Sequence, residues 1–233
     1  MENTSRLKKG FNFLAPFYET GIRFFFGKNI FRSQVFFLPG KNSCPNALIF
    51  GGGSGELLLE MVRRQTASNI YYIDISEKMI SLAQERIMNK ASEFQNSIHF
   101  ICGTVSDIPP GIRFDLIITP YVLDCFEEQD LPEVMKSLSK TLNEKGIWLF
   151  SDFDIPESGL WKVFATAIIF ILYVFFSLCC GLKQKRLAGF RTLFQTLPLD
   201  MVAEKKFCRG LLIARMYRLR QPGYIGGASY LPG

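Results

Sequence analysis

Short strand-like segments alternate with amphipathic segments through the middle of the chain. Five segments have the apolar or alternating pattern of buried strands, at 47–50, 70–73, 97–102, 115–119 and 146–151. Three segments between them have apolar residues at helical spacing, at 56–65, 77–92 and 131–142. Ser76 is a suitable N-cap for the second of these helices. This alternation predicts a parallel sheet with helices on both faces.

The two ends of the chain extend this α/β core. Residues 1–45 are rich in phenylalanine and basic residues, and they predict one or two short helices, near 10–27 and 29–37. Two candidate strands, at 201–207 and 211–218, bring the predicted sheet to seven strands. We predict a Rossmann-like, mostly parallel sheet in four consecutive parts. These parts are an N-terminal helical cover at 1–45, a core at 46–155, an apolar helical insertion with the final strands at 156–220, and a disordered tail at 221–233.

Residues 163–182 contain no charged side chain, and their length satisfies the rule for a transmembrane helix. Two interpretations compete. If the segment spans a membrane, the last two strands lie across the bilayer from the rest of the sheet, which leaves an apolar sheet edge exposed. If it is a lid or a helix that lies in the membrane interface, the sheet stays whole and the helix forms an apolar wall for a substrate. We favour the second interpretation.

A glycine-rich turn lies between the first predicted strand and the first helix. The sequence ALIFGGGSGELL at 47–58 places Gly51, Gly52, Gly53 and Gly55 where a ligand can approach bare backbone. The following helix N-terminus offers free N–H groups. The dinucleotide fingerprint needs glycine at position 56, where this chain has Glu56, and no P-loop lysine follows. A purely structural turn is the alternative explanation.

Asp74 strengthens the functional interpretation of this turn. It follows the second predicted strand, 23 residues after Gly51. A carboxylate at the tip of that strand is placed to accept hydrogen bonds from both hydroxyls of a nucleoside ribose. The alternative is a loop or capping aspartate.

Four segments in order resemble motifs I to IV of the class I S-adenosylmethionine-dependent methyltransferases. They are ALIFGGGSGELL, YYIDISEKMISLAQERI, IHFICGTVSDIP and FDLIITPYVLDCF. The segment FNFLAPFYETGIRFFFGKNIFRSQ also resembles the N-terminal helix of the ubiquinone/menaquinone methyltransferase branch. The resemblance covers residues 11–155, and extends to 218 more loosely.

The resemblance implies S-adenosyl-L-methionine as the cofactor, methyl transfer as the activity, and a set of cofactor-binding residues. The glycine turn lines the methionine part, Asp74 binds the ribose, and Ile75 and Met79 flank the adenine. Gly103, Thr104 and Val105 close over the adenine edge. The chain departs from many relatives at two places, because Ile49 and Thr104 stand where those relatives carry acidic residues.

Candidate catalytic groups lie where strands four and five end, since ligands bind beyond the carboxyl ends of parallel strands. Strand four delivers Tyr121 and Asp124, together with Thr119 as a further candidate cofactor-binding residue, and strand five delivers Asp152. Asp124 lies in an apolar sequence, so burial would raise its pKa towards that of a useful base, although a helix N-cap is an equally good interpretation. Asp152 is the other candidate base, with an ordering role in the loop as its alternative.

Composition and charge bear on which molecule accepts the methyl group and on the cellular compartment of the protein. Six cysteines without metal-type spacing and a single histidine, His99, argue for a cytoplasmic chain with reduced thiols and no metal site. Ten basic and seventeen acidic residues at 42–182 lie between strongly basic flanks. Such flanks suit anionic lipid headgroups or nucleic acid, or are simply a solvated surface.

We therefore predict a methyltransferase that acts on a hydrophobic small molecule such as a quinone, a lipid or a polyketide-like ring. We expect it to be peripheral to the inner face of a membrane. Phenylalanines of the N-terminal segment form the wall opposite the apolar helix in this interpretation. They are Phe11, Phe13, Phe17, Phe24, Phe25 and Phe26. The alternatives are an RNA methyltransferase, although no RNA-binding module is visible and no nucleic-acid partner is expected, and a non-catalytic cofactor-binding homologue.

Overall fold

Seven strands form one sheet in the computed structural model, which describes residues 7–15, 25–156, 159–182 and 187–220. Their order is β3-β2-β1-β4-β5-β7-β6. The strands are β1 Cys44–Phe50, β2 Ala67–Asp74, β3 Ile98–Cys102, β4 Phe114–Pro120, β5 Leu142–Phe153, β6 Leu199–Phe207 and β7 Leu212–Leu219. β1 to β5 pair in parallel, and β7 runs antiparallel to β5 and β6. The predicted seven-stranded, mostly parallel sheet is confirmed.

Helices pack on both faces of this sheet. They are α1 at residues 7–15, α2 Asn29–Val35, α3 Glu56–Arg63, α4 Glu77–Lys90, α5 Leu131–Thr141, α6 Leu160–Cys180 and α7 Phe190–Gln195. Single turns of 3-10 helix lie at Val105–Asp107, Leu123–Cys125 and Cys208–Gly210, and a longer one at Ser92–Ser97. Ser76 caps α4 as predicted, because its hydroxyl accepts a hydrogen bond from the Met79 N–H at 3.1 Å.

Element boundaries differ from prediction where strand pairing outweighs local pattern. β5 begins at Leu142, four residues before the predicted start at Gly146, because Leu142 already pairs with Phe114 of β4. A register shift then brings Ile147 opposite Leu116. β2 likewise begins at 67 rather than 70 because its first residues pair with β1.

Three apolar clusters form the core. Two fill the opposite faces of the sheet, one around Trp148 and Phe150 and the other around Leu57 and Tyr72. The third lies beneath α6, where Ala165, Ile169 and Tyr173 pack with residues of α2 and β7. Tyr121, Cys125 and Phe153, which lie at or just beyond the carboxyl ends of β4 and β5, contact this third cluster. α6 therefore covers the edge of the sheet at which β4 and β5 end.

One helix in the described residues, α6, is long and apolar enough to cross a membrane, and only 22% of its most apolar window is buried in the protein. The two strands that follow it pair with each other and with β5. The sheet is thus complete with α6 lying against it, as the lid interpretation predicts. No residue of α6 lines the main cavity of the described residues, however, so the predicted apolar wall for a substrate is not formed by this helix.

Several sequence predictions fall outside the described residues. They concern Phe17, Phe24, the tail at 221–233 and parts of the basic flanks, at 1–6 and 183–186. The four-part division of the chain stays a prediction.

Candidate cofactor and acceptor site

The glycine turn after β1 is closely packed at three positions. A Cβ atom on Gly51 would lie 2.2 Å from Val122 Cγ2, and one on Gly52 would lie 2.3 Å from the Tyr72 ring. A Cβ atom on Gly55 would lie 2.7 Å from Ala83 Cβ, where α3 approaches α4. Glycine at these positions is required by close approach within the protein.

Gly53 differs from its neighbours because a Cβ atom there would meet no described heavy atom within 4 Å. Its φ of 65° lies in the left-handed region, and its backbone lines the main cavity. The Tyr72 hydroxyl donates to the Gly53 carbonyl at 2.6 Å and holds the turn against β2. Gly53 thus presents bare backbone to the cavity rather than to the core.

Asp74 fixes the turn from the tip of β2. Its Oδ2 accepts from the Gly53 N–H at 2.9 Å, and its Oδ1 accepts from the Ser76 N–H at 2.9 Å. The side chain is 8% exposed and lines the cavity. Burial raises the pKa of this carboxyl to about 6, against the lowering effect of these hydrogen bonds. An ionised Asp74 still has lone pairs for ligand hydroxyls.

A cavity of about 810 Å³ connects this turn with the ends of β4 and with the N-terminal cover. That volume lies within the usual range of small-molecule and cofactor sites. Predicted cofactor residues at its wall are Gly51, Gly52, Gly53, Asp74, Ile75, Met79, Gly103 and Thr104. The cover contributes Leu7, Phe11, Gly27, Lys28, Ile30, Phe31 and Gln34.

α1 is held over the cavity by polar contacts with the start of α4. Asn12 Oδ1 accepts from the Ser76 hydroxyl at 2.6 Å and from the Lys78 N–H at 3.2 Å. Lys8 pairs with Glu77 at 2.8 Å. These contacts place Phe11 at the cavity wall, as predicted for an N-terminal phenylalanine.

The other described phenylalanines of the N-terminal segment do not line the cavity. Phe13 and Phe25 are 69% and 66% exposed, and Phe26 is buried beneath α6. Phe31, which the sequence did not single out, lies at the wall instead.

The turn after β3 contains a carboxylate, that of Asp107, which the sequence analysis did not single out. Asp107 Oδ2 accepts from the Thr104 N–H at 2.7 Å and from the Thr104 hydroxyl at 3.1 Å. A Cβ atom on Gly103 would lie 2.5 Å from the same oxygen. An acidic group thus stands beside Thr104 although position 104 is not acidic. The capping-box spacing from Thr104 to Asp107 was the available signal.

Some predicted cofactor residues lie away from the cavity wall. Gly55 is the left-handed N-cap of α3, and Val105 packs against the core. Thr119 is fully buried, and its Oγ1 accepts a hydrogen bond from the Trp148 indole N–H at 2.9 Å. Ile49, at the position where many relatives are acidic, is fully buried in the core.

Tyr121 joins the end of β4 to the N-terminal cover. It lines the cavity with a φ of 53°, a strained value for a side chain of this size. Its hydroxyl lies 2.6 Å from the Ser33 hydroxyl of α2, and its backbone N–H donates to the Ser151 carbonyl at 2.8 Å. This tie to Ser33 was not visible in the sequence, because the two residues are 88 positions apart.

Asp124 and Asp152 are both buried beneath α6, behind the cavity wall. Asp124 lies within the 3-10 turn rather than at its N-cap, which is Val122, so the capping alternative is wrong. Its Oδ1 accepts from the Cys125 thiol at 3.6 Å. Asp152 Oδ1 accepts from the Phe153 N–H at 2.8 Å, and its Oδ2 has no hydrogen-bond partner in the described part of the chain.

These two carboxyl groups titrate far from their usual range. Burial raises the pKa of Asp124 to about 7. Burial and the nearby charge of Asp124 raise the pKa of Asp152 well above its ordinary value. The Tyr173 hydroxyl of α6 is buried nearby, also without a described partner. The pair therefore holds a proton at neutral pH and ionises first near pH 7.

Comparison with known proteins finds a family match in the central part of the chain. Residues 47–146, a little under half of the chain, match the family described as Methyltransferase domain. The chain is 33% identical over 94 residues to the release factor glutamine methyltransferase of Fusobacterium nucleatum, a match that covers 39% of this chain and 25% of that protein. The chain thus matches about a quarter of that curated relative's length.

Several solved structures share the fold of this chain over most of its length. A methyltransferase bound to the Trm112 activator of Haloferax volcanii superposes with a TM-score of 0.68 at 11% identity, over 91% of this chain and 98% of that one. The N-methyltransferase NodS of Bradyrhizobium japonicum, in complex with S-adenosyl-L-homocysteine, superposes with a TM-score of 0.57 at 15% identity, over 83% and 85%. The closer resemblance to the ubiquinone/menaquinone branch stays a prediction.

The residues that line the cavity fit a nucleoside cofactor. Gly53 leaves open space in the cavity, and Asp74 brings a buried carboxylate to its edge. Ile75 and Met79 add apolar surface next to Asp74. The arrangement combines a hydroxyl acceptor, bare backbone and an apolar wall, which a ribose, an amino acid moiety and a purine ring respectively require.

Proposed function

We propose that the chain transfers a methyl group from S-adenosyl-L-methionine to a hydrophobic small molecule. One observation carries this proposal: one cavity of about 810 Å³ is lined both by Gly53 and Asp74 and by apolar side chains of the N-terminal cover, Phe11, Ile30 and Phe31. A mostly apolar pocket with a few placed polar groups is the usual form of a small-molecule site. We call the part at Gly53 and Asp74 the cofactor end and the part at Ile30 and Phe31 the acceptor end.

At the cofactor end, Asp74 accepts hydrogen bonds from the ribose hydroxyls, and the turn at Gly53 lets the ligand lie against the backbone. The bound cofactor supplies an electrophilic methyl group on a sulfonium. The remaining requirement is to hold the acceptor atom in line with that methyl group and to exclude water. The cover helices α1 and α2 exclude water from one side of the cavity.

At the acceptor end, apolar and aromatic side chains follow β4, namely Tyr121, Val122, Cys125 and Phe126. The charged Lys28, Glu127 and Asp130 also line the cavity. An apolar acceptor gains free energy by leaving water for the apolar part of this wall, at about 25 cal/mol per Å² of buried apolar surface.

Asp124 with Asp152 supplies the base that a hydroxyl or carbon acceptor needs. Cys125 borders the cavity and also donates to Asp124. When the acceptor is methylated, its proton would pass to the Cys125 sulfur while the Cys125 thiol proton passes to Asp124 Oδ1. A carboxyl pair that ionises near neutral pH is suited to general base catalysis.

The acceptor class can be tested with S-adenosyl-L-methionine that carries a tritiated methyl group, incubated with the protein and a cell extract. The proposal predicts label in the organic-solvent extract, and less label with Asp124→Asn. Label that resists organic extraction and is released by ribonuclease or by protease would contradict the small-molecule acceptor and favour RNA or protein instead. No label in any fraction, with cofactor binding intact, would favour a non-catalytic homologue.

A further inference from the structure

The outward face of α6 is an apolar surface that runs the whole length of the helix. Between 163 and 178 the exposed side chains include no charge, and only Thr166 and Ser177 are polar. Thr166 satisfies its hydroxyl by donating to the Lys162 carbonyl at 2.8 Å. We call this surface the α6 face; its large members, all at least 42% exposed, are Leu160, Val163, Phe164, Phe170, Ile171, Val174, Phe175 and Leu178.

A patch of this kind is unusual on a soluble monomer. At about 1.5 Å per residue, the 21 residues of α6 extend over about 30 Å. Soluble monomers rarely expose contiguous apolar patches beyond a few hundred Å², and larger ones mark sites of interaction.

α6 lies along the protein rather than projecting from it. Ala165, Ile169, Tyr173 and Cys180 are buried, from the second turn of the helix to the last. At the C-terminal end, a Cβ atom on Gly10 would lie 2.1 Å from Cys180 Cα, which shows how closely α1 packs there. The helix is therefore anchored along its length, with its α6 face parallel to the protein surface.

Basic groups lie at both ends of this face. At the N-terminal end, the Arg209 guanidinium stacks over the Trp161 ring at 5.6 Å. At the C-terminal end, the exposed Lys9 precedes Gly10. Positive charge thus flanks an uncharged apolar surface.

A cationic cleft of about 320 Å³ adjoins the N-terminal end of α6. Four cationic side chains and one carboxylate, that of Asp154, line it. The cations are Arg191, Lys206, Arg209 and Arg215. The buried Arg215 pairs with Glu204 at 2.7 Å and Asp154 at 3.0 Å, and Arg191 and Lys206 also approach Glu204, at 3.4 Å and 3.8 Å. Four cations against these two carboxylates leave a positive excess, which suits a phosphate-bearing headgroup.

We propose that the α6 face docks on the surface of a lipid bilayer that contains anionic lipid, with α6 lying in the interface and the flanking basic groups against the headgroups. The burial of α6 along its length favours this orientation over a crossing helix. Charge favours lipid over a second copy of the chain: an antiparallel pairing of two α6 helices would bring Arg209 of one copy towards Lys9 of the other, and a parallel pairing would oppose identical charges.

The test uses the full chain and two kinds of vesicle, one of phosphatidylcholine alone and one with a third of phosphatidylglycerol. Flotation should recover the protein with the anionic vesicles, and high salt should release part of it because the headgroup attraction is screened. Ile171→Glu, near the centre of the α6 face, and Leu178→Glu, near its C-terminal end, should each weaken binding by at least about tenfold. Met88→Glu, at an exposed apolar site on α4, should leave binding unchanged.

Charge is tested separately. The double variant Lys9→Gln, Arg209→Gln should lower the preference for anionic over neutral vesicles by about fivefold per basic group. Equal binding of wild-type protein to both vesicles would overturn the role of charge.

Two further outcomes would overturn the docking surface. One is wild-type protein that floats with neither vesicle, and the other is Ile171→Glu that floats as well as wild type. A wild-type dimer that Ile171→Glu dissociates, without vesicle binding, would assign the α6 face to a second copy. Binding of S-adenosyl-L-homocysteine, measured on the same samples, shows that each variant is folded and tests the proposed function independently of the membrane.

Discussion

The two ends of the cavity are built in opposite ways. At the cofactor end, backbone groups satisfy the charged side chain: Asp74 accepts from the N–H groups of Gly53 and Ser76, and all three residues lie within 24 positions of sequence. Behind the wall of the acceptor end, Asp124, Asp152 and Tyr173 come from three distant elements. Asp152 and Tyr173 each keep a buried polar atom without a described partner.

This difference separates binding from chemistry. A satisfied carboxylate on a preformed turn is suited to hold a ligand in one position. Unsatisfied buried groups with raised pKa values destabilise a fold, and they are found where a protein exchanges protons. We therefore expect changes at the two ends to separate cofactor affinity from turnover.

The largest effect is expected from Gly53→Val. The side chain would occupy the cavity where the ligand meets the backbone, and valine is strained at a φ of 65°. Affinity for S-adenosyl-L-homocysteine should fall by roughly 100-fold or more, which is about 2.7 kcal/mol. Gly111→Val is the matched control, because Gly111 has a φ of 81°, equally open surroundings and no place in the cavity wall. It should bind the cofactor normally.

Next in size is the effect of Asp124→Asn on turnover. Loss of a general base should lower kcat by about 100-fold, while calorimetry should show unchanged affinity for S-adenosyl-L-homocysteine. The neutral amide removes a buried charge, so the variant should remain folded. Full activity of both Asp124→Asn and Asp152→Asn would show that the acceptor needs only positioning.

Cofactor affinity and turnover should each depend on pH, with smaller effects than those of the two substitutions above. Hydrogen bonds from the ribose need an ionised Asp74, whose pKa is about 6, so affinity should be full above pH 6 and fall by up to about tenfold per pH unit below it. The base needs an ionised Asp124, whose pKa burial raises to about 7, so kcat/KM for the acceptor should decline already near neutral pH. Asp74→Ala should bind the cofactor more weakly, and its affinity should no longer depend on pH in this range. Midpoints near pH 4, the ordinary value for a carboxyl group, would contradict the raised pKa values.

The smallest effect is expected from Tyr173→Phe. Removing a buried hydroxyl that lacks a described partner should raise the free energy of unfolding by about 1 kcal/mol. Thermal unfolding of the pure protein measures this change. A loss of stability would reveal a hydrogen bond to this hydroxyl.

The cofactor end was predictable because its signals are local. Gly51 to Gly55, Asp74 and Ser76 lie at the ends of neighbouring elements, so strand periodicity and turn chemistry locate them directly. The sheet was predictable for the same reason, apart from the early start of β5, which pairing with Phe114 decides.

The acceptor end was only partly predictable because long-range packing builds it. Asp124 and Asp152 could be named from strand ends, but their burial beneath α6 and the presence of Tyr173 depend on the whole fold. Thr119 showed the same limit: its position at a strand end suggested the cavity, whereas its hydroxyl faces Trp148 in the core. Likewise, the contact of Tyr121 with Ser33 forms only when α2 of the N-terminal cover packs against the end of β4.

Calorimetric titration of the full chain with S-adenosyl-L-methionine, S-adenosyl-L-homocysteine and NAD tests the central claim most directly. The glycine turn and Asp74 predict saturable binding of both sulfur nucleosides with one site per chain and no binding of NAD, since position 56 is glutamate. Tight binding of NAD without any binding of S-adenosyl-L-methionine would contradict the account.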